Sequence, residues 1–79
     1  MEKVEEKIVR GLVDHFRMLR LEKGLSHNKL ATLAGVTRPA ISLIENGKRI
    51  PTLIVCLKIA HALDISLGRT IAKYESKLR

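Results

Sequence analysis

The chain has 79 residues and carries 15 Lys and Arg against 8 Asp and Glu, a net charge of +7. That length suits a single domain over residues 1–79, and the basic excess favours polyanions, nucleic acid ahead of acidic membranes or proteins. One Phe, one Tyr and no Trp exclude a stacking platform for single strands, and the lone Cys56 excludes an internal disulfide or a cysteine-rich zinc cluster; with no secretory leader and no long apolar run, a soluble cytoplasmic protein is expected.

Between punctuation at Lys23-Gly24, Gly35, Asn46-Gly47, Pro51 and Ser66, apolar residues recur at helical spacing, which predicts an all-α chain of five helices. The first runs from about Val4 to Lys23, its stripe being Val4, Ile8, Leu12, Phe16 and Leu19, widened by Val9 and Val13. Gly11 interrupts it at a cost of roughly 1 kcal/mol relative to Ala, which marks a close approach or a bend. Gly24 closes it. The second helix starts from Ser26 as N-cap, turns Leu30, Leu33 and Ala34 inward and stops at Gly35. The third follows Thr37, a second N-cap, with Pro39 in its first turn and Ile41 and Ile44 inward, and ends at Asn46-Gly47. The fourth follows Pro51-Thr52 and buries Leu53, Cys56, Leu57, Ala60 and Leu63. Ser66 opens the fifth, whose stripe of Leu67, Ile71, Tyr74 and Leu78 has little core left to cover. Residues 67–79 therefore read as a dimerisation helix, with Val4 and Ile8 extending the patch and Lys73, Lys77 and Arg79 as its solvated face.

Helices two and three, joined by Ala34-Gly35-Val36-Thr37, meet the physical demands of a helix-turn-helix. Ala31 is small where the helices meet, Gly35 can take the left-handed turn, Val36 plugs the corner, and Ile41 with Ile44 anchors the third helix. Each condition alone is loose; their conjunction at fixed spacing is a strong signal. The runs Leu19-Arg20, Lys23-Gly24-Leu25-Ser26, Leu30-Ala31, Ile41-Ser42, Ile44-Glu45-Asn46-Gly47-Lys48-Arg49, Pro51-Thr52-Leu53 and Ile59-Ala60-His61-Ala62-Leu63 add to that turn. Together, over about Phe16 to Leu67, they resemble the phage repressor and Cro-like helix-turn-helix family.

The resemblance implies a compact five-helix domain that binds double-stranded DNA as a dimer and regulates transcription. Its third helix would enter the major groove, with Arg38, Pro39, Ser42 and Leu43 toward base edges. Arg38 leads for direct readout, because its planar fork matches O6 and N7 of guanine, and Leu43 offers only apolar contact. His27, at the start of the second helix, falls where the family contacts a phosphate; Thr37, Asn46, Lys48 and Arg49 would add backbone contacts. The family usually has glutamine at the position of His27, so binding here is expected to tighten as pH falls through the histidine range, about 6.5. Pro39 biases Arg38 away from helical geometry. Arg20 and Glu45 fall where the family often has a buried ion pair.

Two functions compete. One is a sequence-specific regulator, most simply a repressor or autoregulator, binding a pseudo-palindromic operator as a homodimer with half-sites roughly 10 bp apart. The other is an antitoxin that binds a toxin partner as well as its operator. No catalytic constellation is present, and neither a metal nor another cofactor is expected; His15, His27 and His61 lack metal-ligand spacing. Cys56 reads as packing.

Overall fold

The computed structural model describes residues 2–78, which form five helices and no strand. They are α1 (Val4–Glu22), α2 (His27–Ala34), α3 (Arg38–Glu45), α4 (Leu53–Ala62) and α5 (Leu67–Leu78). None is long and apolar enough to cross a membrane.

Local chemistry sets the ends. The hydroxyls of Ser26, Thr37, Thr52 and Ser66 accept from the backbone N–H of Lys29, Ala40, Val55 and Arg69 at 3.0 to 3.2 Å, each satisfying a first-turn donor that has no partner within its helix. At the other ends, Gly24, Gly35 and Gly47 hold the left-handed conformation after α1, α2 and α3. The next N–H then reaches back five residues: Leu25 to the Arg20 carbonyl, Val36 to Ala31 and Lys48 to Leu43, at 2.9 to 3.0 Å. α4 ends in the same way without a glycine, for Asp64 takes φ 59° and Ile65 N–H donates to the Ala60 carbonyl at 3.0 Å. Leu25, Val36 and Ile65, which these turns redirect, all pack against the core.

The core gathers Leu12 and Phe16 of α1, Leu30, Ala31 and Ala34 of α2, Ile41 of α3, Cys56, Ile59 and Ala60 of α4, then Leu63 and Leu67. Several expected inner faces are rotated. On α2 it is Ala31, not Leu33, that joins Leu30 and Ala34, and Leu33 is exposed; two alanines let α2 approach α3 and α4 closely. On α4, Leu53 and Leu57 lie outside and Ile59 inside, because a helix apolar on every side carries no signal of which face is inward. Val4 is likewise exposed, whereas Val13 is buried.

The fifth helix packs more closely on its own chain than its spare apolar stripe suggested. Leu67 is 6 % exposed and belongs to the core of its own chain, so it is not free to build a dimer contact. Ile71 is half-buried against the same core. Tyr74 lies on α1 at Gly11, where an added Cβ would come 2.8 Å from the ring; its hydroxyl hydrogen-bonds His15 Nδ1 at 3.2 Å. The glycine inside α1 is thus a close-approach site for α5. Leu78 alone of that stripe is exposed, and Arg79 lies outside the described residues.

Candidate nucleic-acid interface

The turn between α2 and α3 rests on Gly35 at φ 71°, which an L side chain rarely adopts. Val36 follows, half-buried against the core. Ile41 and Ile44 are then 1 % and 4 % exposed, which leaves the opposite side of α3 as the face it can offer. Arg38 and Pro39 are exposed in its first turn; Ser42 and Leu43 are half-buried. α3 begins at Arg38 with Pro39 as its second residue, so the bias against helical geometry before proline does not delay the helix. The Thr37 hydroxyl serves Ala40, the first donor in this turn beyond the proline that lacks one.

Asn46 caps the end of α3, its N–H donating to the Ser42 carbonyl at 3.0 Å. Lys48 and Arg49 both donate backbone N–H to the Leu43 carbonyl, at 2.9 and 3.2 Å, which holds the loop after α3 close to the helix. Asn46, Lys48 and Arg49 are exposed. Arg49 also lines a groove of about 450 Å³ between this loop and Glu6, Val9, Val13 and Asp14 of α1.

Behind α3 three helices meet at one carboxylate. Arg20 is 8 % exposed and donates from Nε to Glu45 Oε2 at 2.7 Å and from Nη2 to Oε1 at 2.9 Å. Its Nη1 donates to the Leu25 carbonyl at 2.8 Å, so the guanidinium joins the end of α1, the α1–α2 turn and the end of α3. Two more groups reach Glu45 Oε1: His27 Nε2 at 3.1 Å and Arg17 Nε at 3.8 Å. Burial pushes the Glu45 carboxyl up, but hydrogen bonds from Arg20 and His27 and the nearness of their charges outweigh it, holding the group below its ordinary range. An ionised carboxylate only accepts, so His27 Nε2 carries a proton in this arrangement. Residue order alone did not reveal that His27 and Arg17 share Glu45 with Arg20. The available signal was the three-residue spacing of Arg17 and Arg20, which puts them on one side of α1. Cys56 is buried, which raises its thiol pKa.

A family model described as helix-turn-helix matches residues 16–70. The chain belongs to the helix-turn-helix family of transcriptional regulators. It is 47 % identical over 53 residues to the HTH-type transcriptional repressor RghR of Bacillus subtilis, a match covering 66 % of this chain and 39 % of that protein. It is 39 % identical over 49 residues to the HTH-type transcriptional regulator YgzD of the same organism, covering 62 % and 74 %. The solved structure of the restriction-modification controller protein C.AhdI from Aeromonas hydrophila superposes with a TM-score of 0.71 at 39 % identity, covering 81 % of this chain and 94 % of that one. RghR is thus more than twice the length of the region it shares with this chain.

Proposed function

We propose that the chain is a sequence-specific double-stranded DNA-binding regulator, acting as a repressor or autoregulator, with α3 in the major groove. One observation carries this reading: Ile41 and Ile44 are sealed in the core while Arg38 and Pro39 stand exposed in the first turn of the same short helix. Arg38, Pro39, Ser42 and Leu43 then face base edges, and His27, Thr37, Asn46, Lys48 and Arg49 flank them for backbone contact. The repressor assignment leans on the name of RghR.

The regulator acts as a homodimer on a pseudo-palindromic operator. With Leu67 spent on its own core, the dimer surface moves to Ile50, Leu53, Ile54 and Leu57, which are 77 %, 67 %, 66 % and 39 % exposed. Leu53, Ile54 and Leu57 share a face of the first two turns of α4, and Ile50 lies in the loop before them. Together they leave four large apolar side chains open to solvent at the start of α4, the kind of exposed apolar cluster an interface would cover. A second copy is the occupant favoured, since the patch lies one short loop from α3 and a two-fold axis there would pair the recognition helices.

Selection from a random duplex library at about 0.15 M salt tests both parts, and enrichment of a two-fold repeated site is the expected result. Arg38→Ala should then cost about 1–3 kcal/mol on that site and relax one base position. Ile54→Lys should sediment as a folded monomer and bind without cooperativity. Enrichment of no sequence, or an unchanged dimer in Ile54→Lys, overturns the corresponding part.

A further inference from the structure

We infer that Arg17, on α1, is a DNA-backbone contact beside the start of α2; the inference rests on the DNA-binding reading above. The argument starts from how the donors around Glu45 are spent. Arg20 satisfies both carboxylate oxygens and the Leu25 carbonyl, is almost wholly buried, and neutralises the charge of Glu45. His27 gives its Nε2 proton to Glu45 Oε1. A neutral imidazole in that state has only an acceptor left at Nδ1, so by itself it brings no side-chain donor to a phosphate. The corner where α2 begins therefore needs another cation if an anion is to sit there.

Arg17 is that cation. Its Nε lies 3.8 Å from the same Oε1, beyond hydrogen-bond range yet close enough for the carboxylate to hold the side chain beside His27. The side chain is 55 % exposed, and Glu45 is already neutralised by Arg20. Its charge and its donors are therefore left for a group outside the protein. Arg17 and His27 both lie within 4 Å of one oxygen, so the Arg17 guanidinium stands at the corner where α2 begins. Glu45 acts as a positioning residue for the pair, and α1 joins α2 and α3 in contacting the duplex.

The test compares the whole chain with Arg17→Gln and Arg17→Lys for affinity to a random duplex between 50 and 200 mM salt, with thermal melting measured alongside. Losing one phosphate contact should flatten the salt slope by about 0.9, so the fourfold rise in salt should cost Arg17→Gln roughly 3.5-fold less affinity than it costs the unsubstituted chain. Arg17→Lys should keep most of the slope. Melting should not move, because Arg20 still pairs with Glu45. An unchanged slope accompanied by a lower melting temperature would mean that Arg17 only buttresses Glu45, and the inference falls while the DNA-binding reading stands. No salt-dependent duplex binding by the unsubstituted chain would remove both.

Discussion

Replacing Arg20 by Met keeps the bulk of the side chain and removes three donors at once. Glu45 loses its bonds from Nε and Nη2, and the Leu25 carbonyl loses Nη1. Breaking a buried pair from one side costs about 3–5 kcal/mol, because the remaining charge is left without compensation. Here the Glu45 side chain is 7 % exposed but retains His27 at 3.1 Å and Arg17 at 3.8 Å, so the lower end, about 3 kcal/mol, is expected. A domain of this length is stable by roughly 4–12 kcal/mol, and a loss of that size should lower Tm by roughly 12–24 °C. The double variant Arg20→Met with Glu45→Leu removes the stranded charge and should recover most of the loss, giving a coupling of about 2 kcal/mol or more in a denaturant double-mutant cycle. The acid side adds a second check. In the unsubstituted chain the Glu45 carboxyl titrates below its ordinary range, so its contribution is full above the unfolded carboxylate pKa and is lost as pH falls through the folded one. Without Arg20, burial is opposed only by His27, so the folded carboxyl titrates higher and less stability is lost as pH falls. The stability gap between the two proteins should therefore narrow as pH is lowered from 7 toward about 4. A coupling under about 0.5 kcal/mol, or a gap that widens in acid, would refute this account of the cluster.

Gly11→Ala brings a Cβ to 2.8 Å from Tyr74 Cδ1 and 3.1 Å from Cε1; overpacking of about 1–3 kcal/mol should outweigh the helix-propensity gain of about 1 kcal/mol. Urea unfolding should show a net loss that becomes a gain when Tyr74 is first reduced to Leu, and a gain with Tyr74 intact would count against the contact. Asp64 holds φ 59°, so Asp64→Val should cost about 1–2 kcal/mol while Asp64→Gly stays within about 0.5 kcal/mol; equal melting of all three would show that the α4 ending carries no strain. Lys48→Ala should weaken operator and random duplex alike and lower the salt slope by about 0.9, whereas a loss confined to the operator would reassign Lys48 to base readout.

Much of this molecule is legible residue by residue. Ser26, Thr37, Thr52 and Ser66 each precede a helix and cap it, since a short hydroxyl side chain finds its backbone donor within three residues. Gly24, Gly35 and Gly47 mark helix ends because the left-handed turn is a property of one residue. Asp64 does the same work without announcing it, as an aspartate is compatible with many other conformations. Within α3, Ile41 and Ile44 could only point one way, because Pro39, Ser42 and Leu43 fall on the other side of the helix. In α4 no such contrast existed. Leu53, Ile54, Val55, Cys56, Leu57 and Ile59 surround the helix, and only the packing of α2 and α5 against it decides that Ile59 is inside and Leu53 outside.

The sequence by itself determined the five helices, most of their caps and turns, the exposed side of α3 and the basic balance, because these depend on neighbours a few residues apart. Tertiary structure decided how α5 packs and where charge collects. Tyr74 finds Gly11 across 63 positions of chain, which turns an apparently spare apolar helix into part of one chain's own packing and leaves the start of α4 uncovered. Arg17, Arg20, His27 and Glu45 come from three helices and meet only when those helices pack. Neither meeting leaves a local pattern in the sequence, since each depends on the angle at which helices cross and not on the spacing within one.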